Sequence, residues 1–342
     1  MTPLIKVLIV DDSSFMRETI KASLSADPSI EIIGEASNGR DGIRKALSLN
    51  PNVITMDLKM PIMTGIDAIE NIMENNPIPI IVVSSCEDDV IKKALDIGAM
   101  DFVTPSMGIK ELTRDLIEKI KIASRVRPFR RRKFKKEILN NNQSAPTIFE
   151  QKNDTKKIIV IGVSTGGPQA LQEVFRGIPK EFSGGIAVVQ HISKGFIHGL
   201  VEWLKGISNI EMRVAKEGDK IENGTALFAP DNANMLIGRD GRIILKEDTT
   251  KSMLHVPAID ELMKSASNSF GSNTIGIIMT GMGQDGVEGI KTIKNNGGFT
   301  LAQDKESSII YGMNRVAIEK GYINKIVSLY DIAEELVNIT RK

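Results

Sequence analysis

Short apolar runs of strand length recur along this chain, and most are separated by stretches of helical, amphipathic pattern. A run that is apolar at every residue, rather than at alternate ones, belongs to a strand buried on both faces. Such strands alternating with helices imply a parallel sheet with helices packed on each side. In the first 120 residues the runs are Val7–Val10, Ile30–Gly34, Val53–Met56, Ile80–Val83 and Phe102–Val103, with helical patterns such as Phe15–Ser25 and Gly39–Leu49 between them. The alternation lapses between 123 and 156, where no apolar period is sustained, and then resumes. The later runs are Ile158–Ile161, Ile186–Val189, Ala226–Phe228, Ile243–Leu245, Ile275–Met279 and Phe299–Ala302, with a β-rich middle over 211–248. The expected fold is therefore α/β, as two doubly wound parallel-sheet domains at 1–122 and 157–342, joined by a linker at 123–156.

A chain of 342 residues is long enough for two separate cores. Aromatic residues make up only 4%, so Ile, Val, Leu, Met and Ala must supply the core volume. The net charge is +1, yet Arg125–Lys136 alone holds eight cations and no acid, leaving −7 for the rest. Basic surface confined to one short stretch does not suit a protein that coats nucleic acid. That stretch reads as a solvated hinge or as a segment that docks on an acidic face. The single cysteine, Cys86, excludes an internal disulfide and a cysteine-rich metal site. The first apolar run stops at Asp11–Asp12, unlike a leader peptide, and no run approaches the ~20 residues that span a bilayer. A cytoplasmic protein without membrane insertion is expected.

In a doubly wound sheet, ligands bind at the carboxyl ends of the strands. Asp11 and Asp12 follow the first run and Asp57 follows the third. Carboxylates gathered there repel one another unless a divalent cation binds among them, and an all-oxygen set suits Mg²⁺. Aspartate is also an acceptor of phosphoryl groups. The same spacing equally fits Asp11 and Asp12 as caps of the following helix.

Val10-Asp11-Asp12-Ser13, Met56-Asp57-Leu58-Lys59-Met60-Pro61, Val83-Ser84-Ser85 and Gly98-Ala99-Met100-Asp101-Phe102 resemble the receiver domain of response regulators, over residues 1–122. The resemblance implies phosphorylation of Asp57 by a histidine kinase. Mg²⁺ would be held by Asp12, Asp57 and the carbonyl of Lys59, with Asp11 acting through water. Ser84 would be the switch hydroxyl and Phe102 the reporting aromatic. One position departs from that pattern. Receivers carry a lysine before the proline that follows their fifth strand, and this chain reads Phe102-Val103-Thr104-Pro105. A lost charge-assisted contact to phosphate costs roughly 1–3 kcal/mol of coupling. Lys59 is the expected partial substitute.

In the second half, Ile158–Ile161 runs into Gly162-Val163-Ser164-Thr165-Gly166-Gly167, and a helical pattern starts at Pro168. This is a strand, a sharp glycine-permitted turn that exposes a serine hydroxyl, and a helix start. Alone it is also consistent with a phosphate-binding turn. A nucleophilic serine needs a general base, and the chain has three histidines. His191 ends the run Ile186–Gln190, whereas His198 falls in a helical stretch and His255 in a loop. Only His191 shares the strand-end position of Ser164. The run Ile275–Met279 leads into Thr280-Gly281-Met282-Gly283-Gln284-Asp285-Gly286, which offers a third strand-end residue, Asp285, and a glycine-rich backbone. Asp285 by itself also fits a turn or helix cap.

The order Ser…His…Asp differs from that of the α/β-hydrolases. Together with Gln190-His191, Ala229-Pro230 and Tyr311-Gly312-Met313, these segments resemble the chemotaxis protein-glutamate methylesterases, response regulators with a C-terminal esterase domain, over 157–342. The resemblance implies hydrolysis of glutamyl methyl esters on chemoreceptors, and deamidation of receptor glutamines in many members. Ser164 would attack, His191 would move the proton and Asp285 would orient the imidazole, with backbone N–H groups of Thr165 and Met282 as oxyanion donors. No cofactor is expected at that site. Family members often carry a histidine after the Ala-Pro pair, where Asn232 and Asn234 stand here. Regulation is expected to be steric, with the receiver over the triad. Two rival classes are a transcription factor, which predicts a compact helix-turn-helix output, and a non-catalytic receptor scaffold. The β-rich second half argues against the first and the Ser/His/Asp set against the second.

Overall fold

The structure, a computed structural model, describes residues 3–86, 88–105, 108–126, 157–247 and 256–341. Most of the expected linker, with its basic run from Arg127 onward, lies outside the described residues, as does His255.

The N-terminal unit alternates strand and helix: β1 (Ile5–Val10), α1 (Ser14–Leu24), β2 (Ile30–Ala36), α2 (Gly39–Leu49), β3 (Val53–Met56), α3 (Gly65–Asn75), β4 (Ile80–Val83), α4 (Asp88–Ile97), β5 (Asp101–Val103) and α5 (Ile109–Ala123). All of its strand pairs are parallel, in the order β2-β1-β3-β4-β5. Successive residues of a strand face opposite sides of the sheet, and β1 shows the consequence. Leu8 and Val10 pack in one core, under α2, α3 and α4, while Val7 and Ile9 pack in the other, under α1 and α5. Ser13 caps α1 through its hydroxyl, which accepts from the N–H of Met16 at 3.3 Å.

The C-terminal unit comprises β6 (Ile158–Val163), α6 (Gly167–Gly177), β7 (Gly185–Gln190), α7 (Ile197–Lys205), β8 (Glu211–Val214), β9 (Thr225–Phe228), β10 (Asn234–Ile237), β11 (Ile243–Lys246), α8 (Ile259–Phe270), β12 (Thr274–Ile278), α9 (Val287–Asn295), β13 (Phe299–Gln303), α10 (Met313–Glu319), β14 (Lys325–Val327) and α11 (Ile332–Thr340). Seven of these strands form a parallel sheet in the order β14-β13-β12-β6-β7-β9-β8. Strand β6 divides its side chains as β1 does. Ile159, Ile161 and Val163 face α6, α7 and α11, and Ile158 and Val160 face α8, α9 and α10.

The apolar run Ile243–Leu245 is not part of the main sheet. It pairs antiparallel with β10 as a two-stranded hairpin, and only Ile243 of β11 is buried, so one face is wet. Edge strands β8 and β14 carry too few buried residues to show as apolar runs.

Each sheet reverses its winding once. The reversal falls between β1 and β3 in the first and between β6 and β12 in the second, opening a crevice at the carboxyl ends of those strands. Among the described residues no helix is long and apolar enough to cross a membrane.

Candidate active site and receiver crevice

Asp11 and Asp57 stand at the β1/β3 reversal, with Asp12 beside them on the exposed side. Asp11 is buried and accepts from the N–H of Ser13 at 2.8 Å. Burial, helped by the charges of Asp57 and Asp12, pushes its pKa up to about 6. Burial likewise raises Asp57, against hydrogen bonds from Ser84 Oγ at 2.7 Å and from the N–H groups of Leu58 and Lys59. Among the described residues no group of three or more His, Cys, Asp or Glu side chains could hold a metal ion. The acidic crevice nevertheless fits Mg²⁺, which keeps several waters and uses one or two carboxylates. Two carboxyls that resist ionisation here are the electrostatic signature of a place that a cation would relieve. No lysine ammonium is among the groups that shift Asp57; Lys59 acts on it only through its backbone N–H. The Lys59 side chain is exposed and forms no ion pair among the described residues. Thr104, one residue before Pro105, is buried with its hydroxyl unpartnered.

The second crevice gathers three strand ends. Ser164 follows β6, and its N–H donates to the carbonyl of Thr280 beyond β12 at 3.0 Å. A side chain on Gly281 would meet Ser164 Cβ at 2.6 Å, so only glycine lets the two turns approach this closely. On the other flank, the N–H of His191 donates to Val163, the last residue of β6, at 3.0 Å. His191 Nε2 lies 2.9 Å from Asp285 Oδ2, and each side chain is 13% exposed.

Asp285 has further partners that its position in the chain does not reveal. The N–H groups of Ile259 and Asp260, in the first turn of α8, donate to its two oxygens at 2.8 and 2.9 Å. A helix N-terminus favours negative charge. Burial works to raise the pKa of Asp285, but His191 and the two N–H groups outweigh it and hold the carboxyl below its ordinary range. Asp285 therefore stays ionised beside the imidazole.

The backbone N–H groups of Thr165 and Met282 have no acceptor among the described residues. Each adjoins a residue in contact, Ser164 or Gly281. His198 is exposed on α7, and Asn232 is exposed. Asn234 is buried, and its Oδ1 accepts from the N–H of Ala258 just ahead of α8 at 2.7 Å. That bond commits Asn234 to holding the helix that holds Asp285.

The receiver face formed by α4, β5 and α5 lies against the second unit. Gln169 and Gln172 of α6 donate to the carbonyl of Ala99 and to Asp96 at 2.9 and 3.0 Å. The loop after His191 adds further contacts. Ser193 Oγ donates to Asp115 at 3.2 Å, and Phe196 meets the buried ring of Phe102 with centroids 4.5 Å apart. Lys119, buried under Phe102, pairs with Asp101 at 2.7 Å. The main chain of Gly195, in the same loop, donates to Asp231. Ile309 lies over Gly166 and, with Ile310, packs against the α1/α5 core of the receiver.

The family model of the CheB methylesterase matches residues 159–336, and that of the response regulator receiver domain matches residues 7–117. A protein-glutamate methylesterase/protein-glutamine glutaminase of Pyrococcus horikoshii is 38% identical, with 97% of this chain and 93% of that one covered. One of the same name from Halalkalibacterium halodurans is 37% identical, with 97% of each covered. Among solved structures, the CheB methylesterase catalytic domain of Thermotoga maritima is similar over 54% of this chain and 98% of its own, at 34% identity and a TM-score of 0.52.

Proposed function

The chain belongs to the CheB methylesterase family and carries a response regulator receiver domain, and from this we propose that it is a phosphorylation-regulated hydrolase of chemoreceptor glutamyl methyl esters. It releases methanol, and by the same route it converts receptor glutamines to glutamates with loss of ammonia. Residues 1–122 are the receiver, 157–342 the catalytic domain and 123–156 the linker. The observation that carries the reading is the placement of Ser164, His191 and Asp285 at one winding reversal, with His191 bonded to an Asp285 held ionised.

In this reading Ser164 Oγ attacks the side-chain acyl carbon of the substrate. His191 Nε2 faces Asp285, so the nitrogen that exchanges a proton with Ser164 is Nδ1. Asp285 fixes the ring and stabilises its cation. The N–H groups of Thr165 and Met282 receive the charge that develops on the acyl oxygen, a contribution of about 2.7–4 kcal/mol per donor in the best-studied case. His191 then delivers the proton to departing methanol or ammonia. Water, activated by the same imidazole, hydrolyses the acyl-enzyme. Ester and amide pass through one intermediate, so one site serves both.

A receiver domain implies a phosphodonor and, typically, Mg²⁺. A chemotaxis histidine kinase is the donor in this reading, with Asp57 as acceptor. Asp12, Asp57 and the carbonyl of Lys59 would hold Mg²⁺, and Asp11 would act through water. The ion would neutralise the acids and the incoming phosphoryl oxygens. Ser84, already bonded to Asp57, senses the change, and Phe102 carries it to Phe196. The receiver contacts both the loop after His191 and Ile309–Ile310, which supports closure of the site in the resting state.

The test is methanol and ammonia release from methylated and glutamine-bearing receptor. His191→Ala should lose both together. Loss of only one would mean two sites and would overturn the shared intermediate.

A further inference from the structure

We propose that Gln190 is a positioning residue that fixes the direction of the oxyanion donor at Thr165. The inference rests on the serine mechanism above. Gln190 ends β7 opposite Val163 of β6, and its side chain is 2% exposed. Its Nε2 donates to the carbonyl of Ser164 at 2.9 Å and to that of His191 at 2.7 Å. One amide therefore spans the backbones of the nucleophile and the base.

The consequence follows from peptide planarity. The carbonyl of Ser164 and the N–H of Thr165 belong to the same rigid plane and point in opposite directions. Holding the carbonyl holds the N–H. The carbonyl of Ser164 also accepts from Gly167 N–H at 2.8 Å, so the plane cannot turn without breaking two hydrogen bonds. The second donor is held in the same way. The carbonyl of Gly281, which shares a plane with the N–H of Met282, accepts from Met313 N–H at 3.0 Å.

Two features show how closely the side chain is committed to this task. Its Oε1 is buried without a hydrogen-bond partner, a cost that natural structures seldom carry without a reason. That oxygen also abuts the first turn of α6, where a side chain on Gly167 would lie 1.9 Å from it. Glycine at 167 makes the room that Gln190 occupies.

Gln190→Met keeps the length of the side chain and removes the donor. In the full chain with a phosphodonor, methanol release should show kcat reduced by about tenfold to a hundredfold, with KM within about twofold of wild type. The pH midpoint of kcat should stay in place, because the substitution removes a bond to the main chain of His191 and leaves the bond between its imidazole and Asp285. An unchanged kcat overturns the proposal, and so does an equal rise in KM. A displaced pH midpoint also overturns it, since Gln190 would then act through His191. Ser164→Ala separates the two levels. If that variant turns over like wild type, the serine reading fails. If it is inactive while Gln190→Met is fully active, only the Gln190 assignment fails. Should Gln190→Met not fold, Gly167→Ala displaces the same amide from its other side and should lower kcat in the same way. Wild-type kcat in that variant overturns the proposal.

Discussion

At the β1/β3 crevice the acids are left to repel one another, whereas at the β6/β12 crevice Asp285 is surrounded by partners that outweigh its burial. Burial drives Asp11 up to about 6 and raises Asp57 as well. Asp285 is also buried, yet His191 and the first turn of α8 hold it below its ordinary range. Both crevices lie where the winding of a parallel sheet reverses. The topology thus supplies a place where loops converge, and the charge balance decides what happens there. In the proposed function, an unbalanced cluster takes up a cation and a phosphoryl group and changes state when they arrive. A balanced pair is ready to move a proton with nothing added.

The largest effect is expected from unbalancing the second crevice. Asp285→Asn leaves a group of the same shape that cannot stabilise the imidazolium. Methanol release should fall by roughly 10⁴-fold, by the precedent of the serine-protease triad. A loss below about tenfold would show that the pair does not carry proton transfer.

The link between the crevices is the next target. Ring pairs contribute about 0.5–1.5 kcal/mol beyond their buried area, so Phe196→Ala should shift the closed-to-open balance by roughly two- to tenfold. Basal methanol release, without phosphodonor, should rise by that factor. Unchanged basal release would place the restraint in the α4–α6 contacts of Gln169 and Gln172 instead.

The smallest effect concerns the first crevice itself. The pKa of Asp11 is raised from 3.8 to about 6, so its neutral form is favoured in the fold. Its contribution to stability is complete below about pH 3.8 and is lost as pH rises through about 6. Asp11→Asn should therefore raise the receiver's unfolding temperature by a few degrees above pH 6, and the gain should vanish near pH 4. In wild type, Mg²⁺ should recover part of that stability at the higher pH. A variant less stable at every pH would contradict the repulsive crevice.

What the sequence made legible was the position of each group along the chain. Asp57, Ser164, His191 and Asp285 each follow an apolar run, and a parallel sheet brings such ends to one side. Partners fixed by packing were not legible. Nothing near Asp285 in the chain announces Ile259 and Asp260, which lie 26 and 25 residues away. Gln190 reads as the last polar residue of a strand until its amide is seen between two carbonyls. The same holds for Asn234, which the sequence shows only as standing near the place of a family histidine and which packing assigns to the start of α8. Strand β14 has no apolar run, because an edge strand buries too little to need one, and β8 shows only within the β-rich middle over 211–248.

In the proposed function Ser164 is necessary for turnover and Asp57 only for its control, and one measurement addresses both. Methanol release from methylated receptor is followed for wild type, Ser164→Ala and Asp57→Ala, each with and without a small-molecule phosphodonor. Ser164→Ala should release no methanol in either condition. Asp57→Ala should keep the basal rate and lose the stimulation. Turnover by Ser164→Ala, or loss of basal turnover in Asp57→Ala, would contradict the division of work between the two crevices.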